Sequence, residues 1–579
     1  MFHGRLWLIS LVQLCLVVLF FAFPSKAEET VDPHADILSE EAYPRAAQCG
    51  TCHTKIYRQW ASSNHAYSSI SPMFHKFEQR INELASGTVG AFCVRCHQQI
   101  GTQLGEPREA ALWERSAIAR EGVTCITCHR VNEEYGKVNG ARTVLPGDIH
   151  QPVTGSARDG VLDQVLADPE TYRIAKSAED RGTPIHLSVR AFDQIEKSEF
   201  CVSCHQVAVH PNIKLEVVWD QYRNSPAFED GVTCQECHMG KVPGRAEGYE
   251  TAPVAIVNDE EINPERLHHN HAFYGPGYPI AHPGIFPHHP DNEQWTIEEW
   301  LQFDWRAGWG TEDFEESLDE GLIEVEFPEV WEDPTDREDA RWIVDEALAM
   351  LEEKRVLREA VMNNGSKVEG PIFDAAPEVG QDFSFSYNVI NTNPGHNLPS
   401  GSLGAQPEIW LNVAITDPEG RNVWESGYVD SAGDMADLHS QDVAAGLIEH
   451  DDQLFNLQTK FLTTNVKGTD REMPLPVNLD IDQIPYIRPS AVPTTVLNHP
   501  PFIRMEGRSL PPLGNRFAHY KVPGSVFKHA GAYRFSVRLR SRAEPIYFMR
   551  FVNATREMEQ AMNEWMIDIH PYAVEIDVK

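Results

Sequence analysis

Gly122-Val-Thr-Cys-Ile-Thr-Cys-His129 recurs further along the chain as Gly231-Val-Thr-Cys-Gln-Glu-Cys-His238. Each copy follows a second related stretch, Phe92-Cys-Val-Arg-Cys-His-Gln98 or Phe200-Cys-Val-Ser-Cys-His-Gln206, and Cys49-Gly-Thr-Cys-His53 stands in front of all four. Ten of the eleven cysteines among the 579 residues thus fall into five copies of Cys-x-x-Cys-His. The chain carries a unit of two motifs that occurs twice, behind one leading copy.

The spacing within each motif is typical of covalent attachment of a c-type haem. Two thiols three positions apart reach the two vinyl groups of one porphyrin, and the adjoining histidine binds the iron as proximal ligand. Zinc or a disulfide is the alternative for a single copy, but zinc would bring two such pairs together and disulfides would show varied spacings. We therefore predict five covalently attached c-type haems. The attaching cysteines are Cys49, Cys52, Cys93, Cys96, Cys125, Cys128, Cys201, Cys204, Cys234 and Cys237, and the proximal ligands are His53, His97, His129, His205 and His238.

The sixth ligand of each iron separates an electron carrier from an enzyme, because an iron with histidine on both faces has no free position for a substrate. The region before residue 290 offers twelve further histidines, more than the five that bis-histidine haems need. His75 precedes the first Phe-Cys stretch by a helix-sized segment, and His186 precedes the second in the same way. These two histidines therefore occupy equivalent places in the repeat. The predicted distal ligands are His65, His75, His150, His186 and His271.

Alternatives stay open for these five positions. A histidine that is structural or faces solvent is the other interpretation of each one. His268 is the nearest substitute for His271, and a methionine, Met73 or Met239, would raise the potential of the haem that it ligates.

The N-terminus combines Arg5, an apolar run over residues 6–23 and a small-x-small site that ends at Ala27. This arrangement is typical of a secretory signal peptide over residues 1–27, which contains Cys15. An uncleaved membrane anchor is the alternative, since the run is long enough for one helix, and only then do we expect membrane contact. Because c-type haem is attached outside the inner membrane, we predict a periplasmic protein, with an extracellular or outer-surface position as a variant.

The chain is strongly acidic, with a net charge of −37 that becomes −39 once residues 1–27 are removed. Such a charge repels phosphate backbones, which excludes nucleic acid as a partner. It favours encounter with a cationic redox partner, such as a cationic cytochrome or a quinol-linked complex. A soluble exported surface without any such partner explains the composition equally well.

All five motifs lie before residue 240, so we assign residues 28–290 to a pentahaem domain that is rich in loops. Residues 291–335 then carry sixteen acidic residues against one base, with five tryptophans between them. We interpret this segment as a connector wrapped on the haem domain, with a docking surface as the alternative. An apolar face predicts a helix over residues 336–363, which completes a connecting region of 291–365.

The last part of the chain, residues 366–579, alternates in the manner of β-strands. The predicted strands include residues 383–389, 409–415, 422–424, 533–539, 546–548 and 573–578. Short strands with proline and glycine turns favour an all-β sandwich of immunoglobulin-like type. The predicted fold class is therefore α+β multidomain, and the second half, which has no cysteine, carries no covalent haem of its own.

Two parts of the chain resemble known families. Cys49-x-x-Cys-His, Ile56-Tyr-Arg-Gln-Trp60 and Ser63-Asn-His65-Ala together resemble the opening of the small tetrahaem cytochromes that receive electrons from hydroxylamine oxidoreductase. The resemblance covers about residues 45–275 and implies stacked haem pairs, a mostly helical haem domain and a distal role for His65. Five motifs instead of four depart from that family, in which at least one haem lacks a strong sixth ligand.

The second resemblance lies in the C-terminal half. Asn391-Thr-Asn-Pro-Gly-His-Asn-Leu-Pro-Ser-Gly401, with Trp410, is similar to a module appended to many exported multihaem cytochromes. His396 in this stretch either reaches across as a haem ligand or is a turn histidine bonded to the backbone.

Two functions remain open at this point. The first is electron transfer through closely packed, mainly bis-histidine haems, with the C-terminal half serving docking or rigidity. The second is a multihaem oxidoreductase that acts on a small nitrogen or sulfur compound at one open haem. The surplus of histidines favours the first, as does the lack of Cys-x-x-Cys-Lys, which marks the catalytic haem of pentahaem nitrite reductases.

Overall fold

The computed structural model describes residues 42–84, 90–131, 133–134, 142–149, 151–156, 160–168, 170–171, 189–209, 213–257, 260–401, 407–458, 460–464, 472–475, 503–506 and 508–579. The predicted signal peptide with Cys15 lies outside the described residues, as do the candidate ligands His150 and His186. Within the described ranges no helix combines the length and the apolar character that a membrane span requires.

Short helices joined by turns dominate the chain up to residue 290. They are Ala46–Gly50, Thr54–Ala61, Asn64–Tyr67, Pro72–Leu84, Val94–His97, Gln99–Gln103, Ala117–Arg120, Cys125–His129, Val161–Ala167, Val202–His205, Val218–Arg223, Pro226–Glu229 and Cys234–His238. Small two-stranded sheets complete this part. They pair β1 (Val153–Gly155) with β2 (Val189–Ala191), β3 (Val207–Val209) with β4 (Ile213–Glu216), β5 (Glu250–Ala252) with β8 (Arg266–His268), and β6 (Ile256–Val257) with β7 (Glu260–Glu261).

The repeat in the sequence is also a repeat in structure. Ser116 and Ser225 each cap a one-turn helix by accepting a hydrogen bond from the backbone N–H three residues on, at 3.3 and 3.4 Å. Shortly after each capped helix comes a glycine of positive φ, Gly122 at +67° and Gly231 at +73°. Only glycine adopts this conformation without steric cost. The same local signals therefore lead the chain into the third and the fifth motif.

The acidic segment after residue 290 turns its aromatic side chains inward. It contains the helices Ile297–Trp300 and Glu312–Asp319, and Trp295, Trp300, Trp309 and Trp331 are buried. These rings share one hydrophobic cluster with side chains of the first part, among them Trp60, Tyr67 and Phe286. The aromatic side chains of this segment thus pack on the first part, and its role as a connector stays a prediction.

A long helix, Pro334–Gly365, continues from the connector. The Asp333 carboxylate accepts a hydrogen bond from the Thr335 N–H at 2.8 Å, and Pro334 takes the first helical position, where its missing N–H costs nothing. The helix predicted over residues 336–363 is confirmed. Its 32 residues span about 48 Å, and the chain then enters the β-rich half.

Two antiparallel sheets face one hydrophobic core in the second half. One has the order β16-β10-β9 and the other β12-β11-β17-β18. Alternate side chains of the central strands point into the core, as Phe383, Phe385 and Tyr387 do. The strands are β9 (Ser366–Ile372), β10 (Phe383–Asn391), β11 (Glu408–Thr416), β12 (Asn422–Ser426), β16 (Asn515–Val522), β17 (Gly531–Arg542) and β18 (Ile567–Val578).

Further elements surround these sheets. A third sheet has the order β14-β13-β15, formed by β13 (Lys460–Thr464), β14 (Glu472–Leu475) and β15 (Ile503–Glu506), and a one-turn helix spans Gln441–Ala444. Helices in the first part and sheets in the second confirm the α+β class. The immunoglobulin-like type and the domain boundaries stay predictions.

One predicted strand is wrong. Residues 546–548 belong to the helix Ile546–Phe551, which a second helix, Arg556–Glu564, follows. Ile546, Phe548 and Met549 are buried in a cluster with Met73 of the first part. A run of three apolar residues fits either element, and tertiary packing against the first part selects the helix.

Candidate haem-iron sites

Four of the five motif histidines share one hydrogen-bonding pattern. In each of them Nδ1 lies within hydrogen-bonding distance of a backbone carbonyl oxygen. Because a carbonyl oxygen only accepts, Nδ1 donates its proton and Nε2 keeps its lone pair. Metal-binding histidines typically use their second ring nitrogen in this way. The pairs are His53 with Val254 at 2.7 Å, His97 with Ser68 at 3.1 Å, His129 with Thr154 at 2.8 Å and His238 with Tyr274 at 2.6 Å.

Three motif histidines stand opposite a histidine from elsewhere in the chain. Two imidazoles that bind one metal ion from opposite sides, each through a nitrogen about 2 Å from the metal, have ring centres roughly 6 Å apart. The observed separations fit an iron between each pair. They are 6.1 Å for His65 and His205, 6.4 Å for His129 and His271, and 6.1 Å for His238 and His396.

Burial keeps these imidazoles neutral. Desolvation is the main cause that lowers the pKa of His65 and His271 to about 3 and the pKa of His205 and His396 to about 4. The neutral ring is the form that binds a metal ion. At neutral pH each of these rings therefore offers a lone pair.

The predicted distal ligands differ in where the structure places them. His65 faces the histidine of the fourth motif and His271 that of the third. His75 instead donates from Nε2 to the backbone carbonyl of Ser69 at 2.7 Å, and the ring stacked on His97 is that of Phe74, at 4.1 Å. A haem role for His75 stays a prediction, which this hydrogen bond does not support.

Other histidines of the first part show the reverse pattern. The Nε2 atoms of His268, His282 and His288 contact protein oxygens at 3.1, 2.9 and 3.3 Å. A ring tied to the fold through Nε2 has no lone pair on that atom when the partner is a carbonyl. His268, the substitute weighed for His271, contacts the Gln59 side chain.

Thiols of different motifs adjoin one another. All ten motif cysteines are free and partly exposed. The side chain of Cys49 lies beside that of Cys125, Cys96 beside Cys204, and Cys201 beside Cys234. The first motif thus lies beside the third, the second beside the fourth, and the fourth beside the fifth.

Two cations near these sites, the partly buried Arg142 and the buried Lys354, escaped sequence analysis. After desolvation and the neighbouring His205, the charges of Arg142 and Lys354 also lower the pKa of His65. Lys354 lies on the inner face of the long helix, where burial lowers its own pKa to about 7. A haem brings two propionate carboxylates, and buried cations are normally paired with such groups. The sequence contained one signal for Lys354, because this lysine falls on the apolar face of the predicted helix.

Comparison with known proteins found one family match and one similar fold. Residues 48–130, which contain the first three motifs, match the family described as cytochrome c554 and c-prime. The fold is similar to the crystal structure of a penta-heme cytochrome c552 from Thermochromatium tepidum, with a TM-score of 0.50 and 14% sequence identity, over 92% of this chain and 99% of that chain. No curated protein sequence matches the chain. The family match and the fold support a multihaem c-type cytochrome with covalently attached haem.

Proposed function

We propose that the chain is an exported pentahaem c-type cytochrome that transfers electrons between periplasmic or extracellular redox partners. The observation that carries the proposal is the set of imidazole pairs 6.1–6.4 Å apart at the third, fourth and fifth motifs. An iron held by histidine on both sides exchanges electrons without binding a substrate.

In this proposal the two cysteines and the histidine of each motif hold one haem. His65 and His271 are distal ligands at the fourth and third sites. The candidates for the first two sites are His150, His186 and His75, of which His75 is the least supported because its Nε2 donates to the carbonyl oxygen of Ser69. When bound, haem iron supplies one-electron exchange at a potential set by its ligands and surroundings. The chain fixes the orientation of four motif imidazoles, those of His53, His97, His129 and His238, by their Nδ1 hydrogen bonds. Burial lowers the pKa of each of these rings and favours its neutral form.

The contacts between thiols suggest the order of electron transfer. Cysteines attach at the porphyrin edge, so Cys49 beside Cys125 would bring the edges of the first and third haems together. Cys128 lies near Cys204, which links the third motif to the fourth. With the contacts of the fourth motif to the second and fifth, all five sites form one connected route, on which the second site is a branch.

Location and partners follow from the N-terminus and the charge. Residues 1–27 support export, and the net charge of −37 suits a cationic cytochrome or a quinol-linked complex rather than nucleic acid. The match over residues 48–130 supports kinship with the small tetrahaem cytochromes that accept electrons from hydroxylamine oxidoreductase.

The proposal is tested by loading the full chain with haem and following its redox chemistry. We expect five haems per chain, five one-electron steps in a potentiometric titration, and rapid electron exchange with a cationic cytochrome. Electron paramagnetic resonance of the oxidised protein should account for the third, fourth and fifth haems as low-spin. A chain that binds fewer than five haems, or that exchanges no electrons, would contradict the proposal.

One observation favours the alternative, an oxidoreductase that acts on a small nitrogen or sulfur compound. At the second motif His97 stacks on Phe74, and the Nε2 atom of His75 is engaged by Ser69. A high-spin signal equal to one haem, shifted by hydroxylamine, nitrite or sulfite, would favour catalysis at that site. A spectrum insensitive to all three compounds would favour electron transfer alone.

A further inference from the structure

The C-terminal half reaches the fifth motif through one loop. This loop, residues 392–401, follows β10 and carries His396. The ring centre of His396 lies 6.1 Å from that of His238, and the two ring planes are 20° from parallel. The separation matches those at the third and fourth motifs, where both histidines come from the first half.

The ring nitrogens of both histidines suit a shared metal ion. His238 donates from Nδ1 to the carbonyl oxygen of Tyr274 at 2.6 Å, and His396 donates from Nδ1 to that of Asn397 at 3.0 Å. Both rings therefore keep a lone pair on Nε2. The Asn393 amide nitrogen lies 3.3 Å from Nε2 of His396. A donor at that position is consistent with an unprotonated Nε2, and it must turn away when a metal ion takes the same lone pair.

Asn391 holds the loop in place from within the C-terminal half. Its fully buried side chain donates to the carbonyl oxygens of His396, Leu510 and Pro511 at 3.0, 3.2 and 3.0 Å. Its Oδ1 accepts from the Asn393 N–H at 3.0 Å. A loop fixed by its own half loses little conformational entropy when His396 engages a partner.

The same loop is anchored to the first half on both sides of His396. The Gln221 Oε1 accepts hydrogen bonds from the Asn397 N–H at 3.2 Å and from the Ser400 hydroxyl at 2.7 Å. The Ala227 N–H donates to the Pro394 carbonyl oxygen at 3.2 Å. Gln221 and Ala227 lie on the two helices that precede the fifth motif, so the docking contacts and the motif belong to one local structure.

We propose that His396 is the distal ligand of the fifth haem, so that the C-terminal half completes an iron site in the N-terminal half. The inference rests on the proposed function, since it requires a haem at Cys234 and Cys237. It assigns the β-rich half a direct role in setting the coordination of one haem. In that case the docking of the C-terminal half determines whether the iron of the fifth haem is low-spin or high-spin.

The test uses the haem-loaded full chain with His396→Ala, His396→Met and the control His519→Ala, which changes an exposed side chain on β16. Haem content is measured first, then spin state by electron paramagnetic resonance and potentials by redox titration. We expect His396→Ala to convert the low-spin signal of one haem to high-spin, and added imidazole to restore it. We expect His396→Met to stay low-spin and to raise the potential of one haem. The control should match the wild type.

An His396→Ala protein with full haem content and an unchanged low-spin signal would overturn the assignment. If the alanine variant does not fold, the methionine variant decides, since unchanged potentials in a folded His396→Met protein also overturn it. The proposed function fails separately, through missing haem or absent electron exchange in the wild type.

Discussion

At the scale of the residue, the two ring nitrogens of histidine separate a candidate ligand from a structural side chain. Where Nδ1 donates to a backbone carbonyl, as in His129 and His238, Nε2 is left for a metal ion. Where Nε2 makes the contact, as in His75 and His288, the ring is tied to the fold. The environment of each ring, and not the number of histidines, therefore defines the sites.

A comparison of two substitutions tests this distinction. His65→Ala should convert the fourth haem from low-spin to high-spin, because it removes the imidazole that faces His205. His75→Ala should leave the count of low-spin haems unchanged, because Ser69 holds its Nε2. Spin counting on both haem-loaded variants checks the prediction, and an equal loss in both would show that His75 is also a ligand.

Glu544 makes the stability of the fold depend on pH. It is half-buried, its Oε2 is shielded from solvent without a hydrogen-bond partner in the described chain, and desolvation raises its pKa from 4.5 to about 8. Between these values the folded chain holds a proton that the unfolded chain has lost. The free energy of unfolding therefore falls as pH rises, by up to about 1.4 kcal/mol per pH unit.

Glu544→Gln should remove this dependence. The stability of the variant relative to the wild type should grow as pH rises from about 4.5 to about 8, and should level off above that range. Chemical denaturation of both proteins over a pH series measures the difference. A difference that stays constant with pH would contradict the prediction.

The sequence identified the cysteines and proximal histidines of the sites, but it could not identify which distant histidine faces each motif. Motif spacing alone was enough to single out ten cysteines and five histidines as candidates. Ligation by a distant histidine depends on how the chain folds back, and His396 and His238 approach only because a loop of one half docks on helices of the other. The sequence therefore left two roles open for His396, a haem ligand or a turn histidine bonded to the backbone.

At the scale of the element, the connector and the long helix pack as one unit. Trp331 is fully buried, its indole N–H donates to the carbonyl oxygen of Glu299 at 3.1 Å, and its ring lies 4.8 Å from that of Phe303. The acidic side chains of this segment stay largely at the surface. One stretch of chain thus joins the two halves and contributes much of the negative charge.

Trp331→Ala should lower the free energy of unfolding by about 3 to 5 kcal/mol, because it leaves a large cavity in this aromatic cluster. Trp113→Ala is the matched control, since that side chain is 52% exposed, and a change within about 0.5 kcal/mol is expected. Thermal or chemical denaturation measures both. Similar losses in the two variants would show that the cluster is not a major source of stability.

The elements differ in how far local sequence determines them. The long helix starts and ends near its predicted bounds because capping and proline signals are local. Strand β10 was predictable from its alternation, which the core preserves. Residues 546–548 were mispredicted because their contacts with Met73 are made across the whole length of the chain.

At the scale of the whole molecule, the halves interlock at several separate places. The loop that carries His396 contacts Gln221, the Ile546–Phe551 helix packs on Met73, and Arg358 of the long helix donates to carbonyl oxygens of Pro276 and Trp565. These contacts surround sites that lie in the first half. The net charge of −37 is that of the whole chain, residues 1–27 included.

The rate of electron exchange with a cationic cytochrome should fall as salt is added, because ions screen charge over about 10 Å at 0.1 M ionic strength. Neutralising three exposed acids of the connector should weaken this dependence more than neutralising three on the β-rich half, if the connector is the docking surface. The first set is Glu312→Gln, Asp313→Asn and Glu316→Gln, and the second is Asp452→Asn, Glu575→Gln and Asp577→Asn. Stopped-flow kinetics measure the rates.

If both sets of substitutions change the salt dependence of the rate equally, the connector is not the docking surface and only its packing role remains. A rate that does not change with salt would contradict electrostatic steering by this protein altogether.

The position of His396 in the sequence also bears on the order in which the haem sites are completed during maturation. A chain that is translocated from its N-terminus presents His65 before the fourth motif, so both imidazoles of that site are present when its cysteines arrive. The fifth motif emerges long before His396, which follows β10 in the sequence. If His396 is the ligand proposed above, the fifth haem would be the last to gain its distal histidine, and a chain cut short after the long helix would lack that ligand.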